Sequence, residues 1–188
     1  HVVPSHTSAV GARPYVSVET GSPSRSRWTD SPPFASDSPW STTTVVSFAI
    51  DAESESSTHT VVQARDFEFS VDEPEHLGGS NEGPNPVEYL LGALAGCLNV
   101  VGHGVAEEMG MDVGDVGVEI EGDLDPRKFM GDAEDPRAGY QEIRVDLTVD
   151  TDADDGTVRT WLETVEERCP VSDNLGNATP LEFSVSND

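Results

Sequence analysis

The sequence predicts an α+β fold with antiparallel strands and two core helices. Three observations predict it. Alternating, strand-like segments come before the first helix and do not interleave with helices one for one. One long, nearly all-apolar helix then carries its own start and stop signals. Two more alternating segments, a second helix and a short alternating end follow.

The first 44 residues stand outside this pattern. They are rich in Ser, Thr and Pro, as in SPSRSRWTDSPPF, and hold no sustained apolar period. Such a segment cannot bury enough apolar surface to offset its ordering, so 1–44 is expected to be a disordered extension and 45–188 the folded domain. This end begins with His and reads as a fragment or an upstream extension, without the apolar run of a secretory signal.

The charge divides in the same way. Arg13, Arg25 and Arg27 balance Glu19, Asp30 and Asp37, so the whole formal charge of −26 falls after residue 44. A surface so acidic repels phosphate backbones and anionic membranes, which argues against nucleic-acid and lipid partners. Lys128 is the single lysine. An evenly spread acidic excess with almost no lysine resembles proteins of salt-loving organisms, where salt screens the self-repulsion.

The elements follow in order. In VVSFAID, Val46, Phe48 and Ile50 alternate with polar or small residues and predict a strand. Residues 61–71 predict one or two more, with Phe67, Phe69 and Val71 on one face. EPEHLGGSNEGPNP is a loop of turn formers, and it lacks the strand and Gly-x-Gly context of a phosphate loop.

PNPVEYLLGALAGCLNVVGHG comes next. Asn85 is placed to cap a helix, with Pro86 at its first position and Glu88 at its third, and Gly110 ends it after Met109. The segment is too short and too interrupted by Asn99, His103 and glycines for a membrane span, and no basic flank borders it. It reads as a buried helix through Leu90, Leu91, Leu94, Cys97, Leu98 and Val101. A helix apolar on nearly all sides needs cover on most of them, which favours a second copy of the chain. Asn99 and His103, one turn apart, are placed to hydrogen-bond to each other, His103 as a satisfied core or interface residue.

Val116, Val118 and Ile120 alternate with Gly117, Glu119 and Glu121, and Ile143 to Val149 alternate likewise. They predict two half-buried antiparallel strands. Residues 157–168 predict the second helix, with Val158, Trp161, Leu162, Val165 and Cys169 on one face and Pro170 as its stop. The acidic run DTDADDG has no Glu at the twelfth position of a calcium loop and reads as a turn and helix start. LEFSV, 181–185, predicts a last strand.

The chain has two cysteines, with no CxxC and no Cys/His cluster, so a structural zinc is not expected. Without an export signal the expected location is cytoplasmic, where a disulfide is transient. An isolated cysteine is most often a small buried hydrophobe. Here both lie on apolar helix faces, an arrangement that lets two core helices meet Cys to Cys. Cys169 ends a helix, where the dipole disfavours a thiolate, so if one of the two attacks and the other resolves, Cys97 is the better attacker, with a cation supplied from elsewhere in the fold.

These residues also carry a resemblance. NPVEYLLGALAGCL resembles the first-cysteine helix of the OsmC/Ohr family, and ERCPVSDNL its second-cysteine segment. LDPRKFMG and GYQEIRVDLTVD resemble a branch of the same family, in the same order, and the likeness spans 45–188. The resemblance implies an α+β homodimer with intertwined subunits. It implies reduction of small organic hydroperoxides through a Cys97/Cys169 redox pair, with a lipoyl- or thioredoxin-type dithiol restoring the thiols. It also implies that no metal or organic cofactor is required. A non-catalytic ligand-binding or redox-sensing domain with core thiols is the alternative.

Two positions depart from the family's peroxidase members. These carry Glu directly after the helix-opening proline; here Val87 stands there and Glu88 follows. They also carry an Arg on an N-terminal strand near the following loop; here that stretch is FEFSVDEPEHL, and Arg65 lies just upstream. A straight helix puts Glu88 on the face opposite Cys97, roughly 13 Å along the axis, so Glu88 is read as a cap.

Overall fold

Asn85 and Gly110 set the limits of the element that organises the molecule. In the computed structural model, which describes residues 45–187, α1 runs over Pro86–Met109. The Asn85 side chain accepts the Glu88 N–H at 2.9 Å, and the Glu88 carboxylate accepts the Asn85 N–H at 2.8 Å. This reciprocal cap satisfies two N–H groups that the helix leaves without partners. At the other end Gly110 takes φ 67°, a left-handed turn that glycine adopts without strain. Length and apolarity would also let α1 cross a bilayer, but here it is the helix on which the rest of the core packs.

Before α1 lies a three-stranded antiparallel sheet of β1 (Asp51–Ser54), β2 (Thr60–Ala64) and β3 (Phe67–Val71), in that order. β2 and β3 form a hairpin in register from Thr60 opposite Val71 to Ala64 opposite Phe67. A loop containing a 3₁₀ turn at Glu75–Leu77 leads from β3 to α1. The buried Asp72 carboxylate holds this loop together, accepting the N–H groups of Glu73, Ser80 and Glu82 at 2.9, 2.8 and 3.2 Å.

The expected strand at 45–50 does not form; pairing begins at Asp51. The register explains this. Asp51 lies opposite Gln63, so Ile50 falls level with Ala64, the last residue of β2, and the residues before Ile50 run past it into the hairpin turn. The extension 1–44 lies outside the described residues.

After α1, β4 (Val116–Asp123) and β5 (Glu142–Val149) pair antiparallel from Val116 opposite Val149 to Asp123 opposite Glu142. A one-turn helix, α2 (Arg127–Met130), sits in the loop between them. α3 (Asp155–Arg168) follows, capped by Asp154, whose side chain accepts from Gly156 and Thr157. The acidic run is thus a turn and helix start, as expected. A further helix, α4 (Pro170–Gly176), was not foreseen. The expected strand at 181–185 does not form either, and Phe183 and Val185 are 89% and 97% exposed.

The core follows from helical spacing. Leu94, Leu98, Val101 and Val105 recur along one face of α1 and are buried with Ala106 and Met111. Trp161 and Val165 of α3 close over them, and the half-buried face of β4 and β5 packs from the other side through Val118, Ile120, Ile143 and Leu147. Trp161 is 1% exposed, and its indole N–H donates to the Gly102 carbonyl at 2.8 Å. Gly102 permits the approach, because a Cβ there would stand 3.0 Å from the ring.

Candidate functional site

Cys97 lies mid-way along α1, beside the buried Leu94 and Leu98, and is itself half-buried. Cys169 follows the last residue of α3 and takes an extended backbone conformation, φ −76° and ψ 108°. Its N–H still donates to the Val165 carbonyl and its carbonyl accepts the Asp173 N–H, both at 3.0 Å. It therefore ends α3, as expected, and at the same time caps the start of α4. The two sulfur atoms stand 3.0 Å apart, although 72 residues separate them. Both thiols are free.

The sulfurs differ in surroundings. Cys169 is 0% exposed. Its Sγ accepts the Ser172 N–H at 3.4 Å, taking the capping position of α4. Burial alone would push this thiol up, but hydrogen bonds from Cys97, from the Ser172 side chain and backbone, and from the Val171 N–H outweigh it and lower it. The Cys97 thiol is pushed up, first by burial and then by the hydrogen bond it shares with Cys169. Pro170, read as a stop, is also the first residue of α4, and that helix turns its N–H groups toward the Cys169 sulfur. The Pro170, Asp173 and Gly176 spacing was the signal for it.

No cation found among the described residues touches either sulfur. Arg168, next to Cys169 in sequence, is paired with Glu108. Arg127 is paired with Asp125, Lys128 with Glu134, and Arg144 with Asp123, Glu142 and Glu121. Arg65 occupies the β2–β3 turn with φ 57°, its guanidinium 5.2 Å from the Phe67 ring centre.

The chain matches the model of the OsmC-like protein family over residues 79–184, more than half its length and including both cysteines. It belongs to that family. Solved structures agree on the fold. An OsmC-like protein from Mycoplasma pneumoniae superposes with a TM-score of 0.59 at 18% identity, over 70% of this chain and 88% of that one. A putative osmotic stress induced and detoxification response protein from Psychrobacter arcticus gives 0.56 at 21%, over 71% and 91%. An organic hydroperoxide resistance protein from Elizabethkingia anophelis gives 0.52 at 18%, over 71% and 90%. No curated protein matches.

Within this OsmC-like chain, one departure from the peroxidase pattern has a structural account. Glu88 is engaged in the helix cap. It also borders an open hollow of about 660 Å³ with Asn81, Gly83, Pro84 and Leu91, which does not include the cysteines. His103 is exposed and bonds the Asn99 backbone carbonyl at 2.9 Å, not the Asn99 side chain.

Proposed function

We propose that this OsmC-like protein is a homodimeric thiol peroxidase that reduces small organic hydroperoxides through Cys97 and Cys169. The observation that carries the reading is the 3.0 Å approach of a half-exposed sulfur and a buried one. The hydroperoxide-resistance relative of the same fold supports the substrate class.

The chemistry follows from the geometry. Cys97 gives up its proton, and its sulfur attacks the terminal peroxide oxygen. The O–O bond breaks, the departing alkoxide takes that proton and leaves as the alcohol, and Cys97 becomes a sulfenic acid. The Cys169 sulfur then attacks the Cys97 sulfur, and the departing hydroxide takes the Cys169 proton and leaves as water. A dithiol of lipoyl or thioredoxin type returns the disulfide to two thiols. Burial of Cys169 keeps the second sulfur waiting at contact distance, so the sulfenic acid is consumed before a second oxidation.

Homodimerisation rests on what one chain leaves uncovered. Leu90 and Val100 of α1, Phe48, Ile50, Phe67 and Phe183 are exposed apolar side chains. A second copy is the natural cover.

The test is intact mass of the reduced protein in high salt, before and after one equivalent of cumene hydroperoxide. Rapid loss of two hydrogens is expected, and neither Cys97→Ser nor Cys169→Ser should show it. Cys97→Ser should have no turnover; Cys169→Ser should give a Cys97 sulfenic acid that dimedone captures. Peroxide turnover by Cys97→Ser would exclude the mechanism.

The raised Cys97 thiol, with no cation against it among the described residues, favours one other reading, a redox sensor that oxidises and turns over slowly. In that case the disulfide forms once per chain and no dithiol sustains turnover.

A further inference from the structure

We infer that, when the Cys97–Cys169 disulfide is reduced, the incoming thiolate attacks the Cys97 sulfur and Cys169 departs as the thiolate, received by the Ser172 N–H. The inference rests on the proposed redox pair and adds the direction of its reductive half.

Two independent features fix that direction. The first is access. Cys97 is half-buried, whereas Cys169 is 0% exposed beneath α1, α3 and α4. Displacement at a disulfide needs the nucleophile in line with the S–S bond, so only the Cys97 end is open to an external reductant.

The second is the fate of the charge. A thiolate released into the core is disfavoured by desolvation unless hydrogen bonds receive it. Cys169 Sγ already accepts the Ser172 N–H at 3.4 Å. Helix caps are usually Ser, Thr, Asp or Asn, and a neutral cysteine sulfur is a weak acceptor. An anionic sulfur at the same place accepts more strongly. The neighbouring Arg168 is committed to Glu108, which leaves backbone N–H groups to hold the charge.

The step balances. One thiolate of a dithiol forms a bond to Cys97 Sγ, the Cys97–Cys169 bond breaks, and its electron pair goes to Cys169 Sγ. The second thiol of the reductant loses its proton to Cys169 and attacks the reductant's own sulfur in the mixed disulfide. Cys97 leaves as a thiolate and takes a proton from water. The reductant loses two electrons and becomes a cyclic disulfide, and both cysteines are reduced.

The disulfide is made in two batches of the full chain, one with cumene hydroperoxide and one with diamide. Each is mixed briefly with less than one equivalent of 2-mercaptoethanol, which cannot complete the second displacement. Acid quenching, alkylation of free thiols in denaturant and peptide mass analysis then locate the adduct. Mercaptoethanol on Cys97 with an alkylated Cys169 is expected. The adduct on Cys169, or an even split, overturns the inference.

Ser172→Pro removes the N–H in the first turn of α4, where proline is tolerated, and should slow reduction about tenfold. Ser172→Ala keeps the N–H and should slow it less. Equal slowing in the two would overturn the role of the N–H, and adduct mapping on the unaltered chain decides the direction even if Ser172→Pro fails to fold. If diamide forms the disulfide and the hydroperoxide does not, the peroxidase reading fails while the direction is still scored. If neither oxidant joins the sulfurs, both fail.

Discussion

Trp161 shows how much one side chain settles. Its ring fills the space over α1 that Gly102 leaves open, and its indole N–H bonds the Gly102 carbonyl. Trp161→Phe keeps an aromatic ring but deletes the donor and leaves a gap. A loss of about 1–3 kcal/mol is expected, read as a lower urea midpoint at unchanged slope. Asp72 acts at the same scale through charge. Burial opposes its ionisation, but the N–H groups of Glu82 and Ser80, the Thr58 side chain and the Glu73 N–H outweigh it and hold the carboxyl below its usual value. A carboxyl lower in the folded than in the unfolded chain stabilises the fold above the unfolded value, near pH 4, and that contribution fades as pH falls through the folded value. Asp72→Asn should therefore lower Tm at pH 6, and the gap to the parent protein should narrow toward pH 3. A gap that widens with acid would show the sign to be wrong. Asp125, held at about 2 first by the Arg127 side chain, extends the acid limb further down in both proteins.

At the scale of elements, α1 was legible because Asn85, Pro86, Glu88 and Gly110 each mark an end by backbone chemistry that needs no tertiary contact. Asn85→Ala breaks the cap and should cost about 1 kcal/mol, whereas Glu88→Gln, which still accepts the Asn85 N–H, should cost less; thermal melts of both check this. β4 and β5 were legible for a similar reason, since alternation fixes which face each residue takes, and both strands pair within the chain. The segments at 45–50 and 181–185 alternate just as clearly, yet neither pairs. Alternation reports a face that needs cover, not where the cover lies. α4 was missed because Pro170 was read only as an end to α3, and because cysteine is not a usual cap. The two cysteines singled out from sequence meet at 3.0 Å, but the Ser172 N–H that bonds the Cys169 sulfur comes with α4 and was missed with it.

Charge and exposed apolar surface oppose each other at the scale of the whole molecule. The chain carries a formal −26. It also leaves Phe48 and Phe183 each 89% exposed, with Leu90 and Val100 bare on the main core helix. Burying those side chains against a second copy is favourable by roughly 25 cal/mol per Å² of apolar area. Bringing two such chains together also doubles a large like charge, whose repulsion reaches about 10 Å at 0.1 M salt but only about 3 Å at 1 M. Association should therefore strengthen as salt rises, the reverse of a dimer held by opposite charges across its interface. Sedimentation in a potassium chloride series should show a dimer at molar salt and a shift toward monomer as salt falls to about 0.1 M, with thermal stability declining in parallel. If low salt strengthens the dimer, ion pairs govern the contact. If the chain stays monomeric at every salt, the exposed apolar faces have another use, and the redox pair must work within a single subunit.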